Sequence, residues 1–183
     1  MPIKNKKFAN RGMFLERIIN ETNSYYITKD KAIIYKKPTP IKVLNVEYNT
    51  TTVIDKAVFS ETSTLDYNGI YKGKYIEFDA KESKNTTSFP LNNIKNHQIK
   101  HISNILRHGG IVFLIIFMNN KFYLFKGDTL IDFINNNDRK SIPYEYIVNN
   151  GYIIKEGYLP RLDYLKVVDN VYLKEMDYDK SKE

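Results

Sequence analysis

Eight consecutive apolar residues, Ile111 to Met118 (IVFLIIFM), constrain the fold of this chain more than any other stretch. The run is of strand length, β-branched and aromatic, and lacks the polar alternation of a strand with one wet face. It therefore predicts a central strand covered on both sides, as in α/β folds. It is far shorter than the about 20 residues needed to cross a bilayer. Gly109-Gly110 before it predicts a helix end, and Asn119-Asn120 after it predicts a hairpin into Lys121 to Phe125.

Other elements can be placed around that strand. Arg11 to Thr22 puts Phe14, Leu15, Ile18 and Ile19 on one helical stripe, with Asn10 as N-cap and Glu16 off the stripe, either a surface residue, the reading the pattern favours, or an additional site carboxylate. Lys31 to Tyr35 reads as a short strand, stopped by Lys36-Lys37-Pro38-Thr39-Pro40. Ile41 to Phe59 reads as a protruding hairpin turning at Asn49 to Thr52. A loop at Thr86 to Pro90 precedes a helix over Asn92 to His108, with Ile94, Ile99, Ile102, Ile105 and Leu106 buried and Gln98 toward one flank. A short helix is expected over Asp128 to Asn135. A second is expected over Ser141 to Ile147, with Ser141 as N-cap and Pro143 in its first turn. Gly157 to Tyr172 reads as loop and short β or irregular chain, and residues 173–183 as a charged, disordered tail.

The chemistry is concentrated in STLDYNGIYKGKYIEFDAKESK, Ser63 to Lys84. With Lys72-Gly73 as a two-residue turn, Tyr71 pairs with Lys74, and counting back brings Asp66 opposite Asp79. Alternation puts Tyr75, Glu77, Asp79 and Lys81 on one face, and Ile76, Phe78 and Ala80 on the other. Asn68-Gly69 is expected to form a bulge that re-aims Asp66. Directly opposed like charges are destabilising. A divalent cation would compensate them, since Mg²⁺ is held by one or two carboxylates and leaves positions for phosphate oxygens. Lys81 beside it would stabilise charge on a reacting phosphate. The same pattern also arises as a solvated hairpin face with cross-strand ion pairs, and the residues alone leave both readings open.

Composition narrows the classes. The chain has no cysteine, which excludes disulfides, thiol nucleophiles and Cys-type zinc sites and fits a reducing, cytoplasmic setting. The start MPIKNKKFANRG lacks a signal-peptide apolar core, so a soluble protein is expected. A net charge of +7 favours a polyanionic partner, and residues 1–40 carry nine Lys or Arg against three acids. His97 and His101 have the i, i+4 spacing of a zinc pair, but with no HExxH pattern and no third ligand they read as surface or phosphate-facing residues.

Seven blocks stand in order along the chain: NRGMFLE at Asn10, KKPTPI at Lys36, the Ser63 to Lys84 segment, FPLNNIKNHQIKH at Phe89, HGGIVF at His108, KSIP at Lys140 and RLDYLKVVDNVY at Arg161. In these blocks the chain resembles the RecU family of bacterial Holliday junction resolvases. The resemblance implies a single nuclease domain over residues 1–172, a restriction-endonuclease-like mixed sheet flanked by helices, with a β stalk at about 37–62. It implies a homodimer that cuts four-way junction or branched DNA symmetrically with Mg²⁺ or Mn²⁺, with a recombinase as a candidate partner. The family's metal-binding and catalytic residues fall on Asp66, Asp79 and Lys81. Gln98 is expected to position water, metal or phosphate, and Arg11, Lys36, Lys37, Lys42 and Lys56 to contact the DNA backbone. The family usually has a hydroxyl residue where this chain has Leu65, and Glu where it has Asp79, a ligand shorter by about 1.5 Å. Those two departures motivate the alternative of a junction-binding recombination regulator with weak or lost chemistry.

Overall fold

The computed structural model describes residues 13–48, 52–60 and 64–174. Asn10, Arg11, the turn at 49–51 and the tail beyond 174 lie outside the described residues. In chain order the elements are α1 (Met13–Thr28), β1 (Ile33–Lys36), β2 (Ile41–Tyr48), β3 (Thr52–Phe59), β4 (Tyr67–Tyr71) and β5 (Lys74–Glu82). Next come β6 (Ser88–Pro90), a 3₁₀ turn (Leu91–Asn93), α2 (Asn96–Arg107), β7 (Ile111–Met118), β8 (Lys121–Lys126) and α3 (Gly127–Asn136). The chain continues through β9 (Ser141–Pro143), α4 (Tyr144–Asn150), β10 (Tyr152–Ile154) and α5 (Tyr164–Val168), the last running into a π-helical turn (Asp169–Leu173).

The described strands build a six-stranded mixed sheet in the order β1-β4-β5-β7-β8-β10, in which β5 and β7 are parallel and the other neighbours antiparallel. β7 lies inside it, and its apolar run is split between two cores. Ile111, Phe113 and Ile115 face a core shared with α1 and α5, while Val112, Leu114, Ile116 and Met118 face one shared with α2, α3 and α4. The sheet is thus covered on both faces, and the mixed α/β class expected from the sequence is present.

The parallel register decides which way the site points. Glu77, Asp79 and Lys81 lie opposite Val112, Leu114 and Ile116, on the α2 side, whereas Ile76 and Phe78 lie opposite Ile111 and Phe113, on the α1 side. Tyr67, Phe78 and Phe113 are register partners on β4, β5 and β7 and stack in a ladder, with centroids 4.9 Å apart and planes within 6°. Aromatic cross-strand pairs of this kind pin register. The ladder lies one residue away from both Asp66 and Asp79.

β2 and β3 form a separate two-stranded sheet that projects as an arm, with a register shift around Asn45. Tyr48 and Phe59 are both 81% exposed, so the arm packs little of its apolar surface against the domain. Its base is closed by Ser60 N–H donating to Pro40 O at 3.0 Å.

Several local expectations are corrected. α2 begins at Asn96, after the 3₁₀ turn, because Lys95 takes the extended N-cap conformation. Ser141 to Pro143 pairs with Ser88 to Pro90 as a strand, so α4 starts after Pro143, which is its N-cap. The segment expected to be irregular contains α5, whose Tyr164, Leu165 and Val168, with Val171 one turn on, enter the first core at helical spacing. Pairing is continuous through Asn68 and Gly69, with no bulge. Gly69 serves the approach of β1 instead, since a Cβ there would stand 1.9 Å from Ile33 O.

Candidate active site

The Lys72-Gly73 turn has φ of +47° and +73°, the conformation of a tight two-residue hairpin, and Tyr71 pairs with Lys74. Pairing runs back to Tyr67 and Phe78, which leaves Asp66 and Asp79 at the next opposed position. The two carboxyls are close enough for each to act on the charge of the other. Burial, then the proximity of the Asp79 carboxylate, raise the Asp66 pKa from 3.8 to about 6, against the lowering effect of Lys81 and Lys36.

Asp79 has no solvent exposure. Its Oδ2 accepts from Lys81 Nζ at 2.7 Å and Gln98 Nε2 at 2.8 Å, while its Oδ1 is buried without a hydrogen-bond partner. Gln98 is itself held, its Oε1 accepting from the Lys95 N–H at 3.1 Å in a capping box at the start of α2. It is 5% exposed, buried over the site rather than on a flank. Ile102 and Ile105 anchor α2 in the second core and fix the height of Gln98 above the sheet.

An orphaned buried carboxylate oxygen costs free energy unless something completes it. A second carboxyl stands beside it, its proton affinity raised by burial and by the Asp79 charge. A hard divalent cation offsets both, and Asp66 with Asp79 Oδ1 would hold it. Among the described residues no cluster of three or more His, Cys, Asp or Glu is arranged for a metal ion. Two carboxylates supplemented by water and substrate oxygens is the coordination that Mg²⁺ favours. The site opens into a cleft lined by Glu16, Asp66, Ala80, Lys81, Glu82, Lys84 and Asn93. Glu16 is not an isolated surface residue: it faces this cleft and pairs with Lys36.

One residue outside the expected set is central to the geometry. Glu77 is 0% exposed, so this strand face is no solvated salt-bridge surface. Its Oε1 accepts from Lys37 Nζ, from Leu65 N–H at 3.0 Å and from His101 Nε2 at 3.0 Å, and its Oε2 accepts from Tyr75 OH. Burial pushes its pKa up, but the bonds from Lys37 and Tyr75 and the charges of Lys37 and His101 outweigh this and hold it below 4.5. The visible signal was the period of two, which places Glu77 on the face of Asp79; His101 lies three residues after Gln98 on α2. Leu65 is 1% exposed in the second core, and the element of it that serves the site is its backbone N–H.

The expected DNA-contact lysines separate into two groups. Lys42 and Lys56 stand exposed on the arm, while Lys36 reaches Glu16 and Lys37 turns inward to Glu77. Among the described residues no helix is long and apolar enough to cross a membrane.

Comparison with known proteins shows the family of the chain. The family model of RecU, Recombination protein U, matches residues 10–170. A Holliday junction resolvase RecU of Bacillus cereus (strain AH820) is 47% identical over 178 residues, covering 93% of this chain and 89% of its own length. The Bacillus anthracis protein of the same name gives the same figures. A solved structure of Archaeoglobus fulgidus Hjc, a Holliday junction resolvase from an archaeal hyperthermophile, covers 78% of this chain and 96% of its own at 13% identity and a TM-score of 0.48. The chain belongs to the RecU family.

Proposed function

We propose that this protein is a structure-selective endodeoxyribonuclease that resolves Holliday junctions in recombination and repair, using a divalent cation held by Asp66 and Asp79. The observation that carries the reading is the unsatisfied, buried Oδ1 of Asp79 beside the crowded Asp66 carboxyl. Family membership and the junction-resolving relatives support the substrate class.

When bound, Mg²⁺ or Mn²⁺ supplies Lewis-acid polarisation of a phosphodiester. The protein does the rest by preorganisation. Lys81, 18% exposed and tied to Asp79 Oδ2, keeps a positive charge at the cleft where a phosphate gains negative charge in the transition state. Gln98 holds Asp79 Oδ2 in place, so that Oδ1 keeps its direction into the site. The arm, as a stalk inserted at about 37–62 of a single nuclease domain, enters the junction. Lys42 and Lys56 on it, with Lys36 nearer the cleft, contact phosphates without reading bases, and Arg11 is a further candidate for such a contact. A two-fold homodimer would present two equivalent sites to the two equivalent strands.

The test is cleavage of a synthetic four-way junction with Mg²⁺ or Mn²⁺. The parent protein is expected to cut paired strands, and Asp66→Ala to bind the junction without cutting it. Parental cleavage by Asp66→Ala would exclude this mechanism. Salt-sensitive binding with no product in any divalent ion would exclude the nuclease and leave a junction-binding protein.

A further inference from the structure

Lys37 ties the base of the arm to the carboxylate-bearing hairpin through both its backbone and its side chain. Lys37 N–H donates to Asp66 O at 2.7 Å, and Lys37 Nζ reaches the buried Glu77. The same Glu77 oxygen holds Leu65 N–H, so residues 65 and 66 are each fixed, one through its own N–H and one through its carbonyl. On its other side Lys37 is followed by Pro38-Thr39-Pro40, and Pro40 O closes the arm base with Ser60 N–H. Proline fixes φ and restricts the residue before it, so this link is a stiff connector. His101 brings α2, and with it Gln98, onto the same glutamate.

A buried ion pair is weak evidence of stabilisation, because desolvation offsets most of its attraction and apolar replacements often serve as well. This pair is distinguished by what it joins. We propose that Lys37 and Glu77 form a strut that couples the seating of the arm in a junction to the placement of Asp66, so that the cation site is completed best when the arm is seated. Lys37 and Glu77 are in this view positioning residues that act through Asp66. The inference rests on the nuclease reading, and it offers a physical source for structure selectivity: linear duplex occupies the cleft without engaging the arm. Binding linkage is reciprocal, so cation binding must also favour junction over duplex by the same factor.

The probe is Mn²⁺, followed by electron paramagnetic resonance of the free ion. It is titrated against the protein alone, with a four-way junction, and with linear duplex of equal phosphate content. The parent is expected to bind Mn²⁺ about fivefold or more tightly with junction than with duplex, the lower end of ordinary allosteric coupling. In Lys37→Met/Glu77→Gln, which removes both charges of the pair and leaves the new amide an oxygen to accept from Leu65 N–H and His101, the two midpoints are expected to coincide, with the fold retained by circular dichroism. Lys37→Gln, which keeps a donor but no charge, serves if the double variant does not fold, and is expected to lose most of the ratio. A parental ratio of one, or an unchanged ratio in the variant, would overturn the strut. Failure of the nuclease reading shows separately, as Mn²⁺ binding to the free protein that Asp66→Ala leaves untouched.

Discussion

Replacing Asp66 by Asn tests the crowding of the two carboxyls without any substrate. In the folded protein the Asp66 pKa stands at about 6 against 3.8, so the folded state holds that proton more tightly than the unfolded chain. The stabilising contribution is therefore complete below 3.8 and lost as pH rises through about 6, leaving the metal-free protein with a charge cost at neutral and alkaline pH. At about 1.4 kcal/mol per pH unit, less what solvent screens from a partly exposed carboxyl, the cost grows from at most about 0.5 kcal/mol near pH 4 to at most about 3 kcal/mol near pH 8. Asp66→Asn removes it. In EDTA the variant is expected to melt at most a degree or two above the parent near pH 4, and several degrees above it, up to about 6–12 °C, near pH 8. Excess Mg²⁺ at pH 8 is expected to shrink or reverse the gap, since an ion at 100 times its Kd adds about 2.7 kcal/mol to the parent. Thermal unfolding by circular dichroism across pH 4 to 8, with EDTA or Mg²⁺, reads all of this. A variant whose advantage does not grow with pH would show that burial and the charge of Asp79 do not hold the Asp66 pKa above 3.8.

Lys81→Met removes the charge that faces the reacting phosphate, and single-turnover cleavage of a four-way junction is expected to fall about 10²- to 10³-fold with junction affinity little changed. Gln98→Ala takes one donor from Asp79 and unties the Lys95 cap; Mn²⁺ affinity is expected to drop about 10- to 100-fold by calorimetry. Gly69→Ala drives a Cβ into the backbone of β1 and is expected to destabilise by about 3 kcal/mol, read as a fall in Tm or loss of soluble protein. Charge reversal of Lys42 or Lys56 is expected to lower the slope of log affinity against log salt by about 1 for each phosphate that the arm no longer neutralises.

The sequence made the hairpin legible because its determinants are local. A two-residue turn sets the pairing, the pairing sets opposition, and the period of two selects the face, so Asp66 against Asp79 follows from residues within 20 positions of one another. The two-sided burial of β7 was equally local, written in eight apolar residues with no polar alternation. The network at Glu77 was hidden for the opposite reason: Lys37 and His101 come from 40 and 24 positions away, and only the folded sheet under α2 brings them together. Burial also turned an expected polar face into an interior one, which alternation alone cannot decide. Short elements were the other loss. Ser141 to Pro143 is a strand because Ser88 to Pro90 is there to pair with it, and α5 is helical because the first core receives Tyr164, Leu165 and Val168.

Diffraction at the manganese absorption edge from a crystal soaked in Mn²⁺ tests the shared-cation claim most directly. The account predicts one anomalous peak per protomer, coordinated by the Asp66 carboxylate and by Asp79 Oδ1, with Lys81 alongside. No peak there, or an ion bound elsewhere while Asp79 Oδ1 stays without a partner, would contradict it.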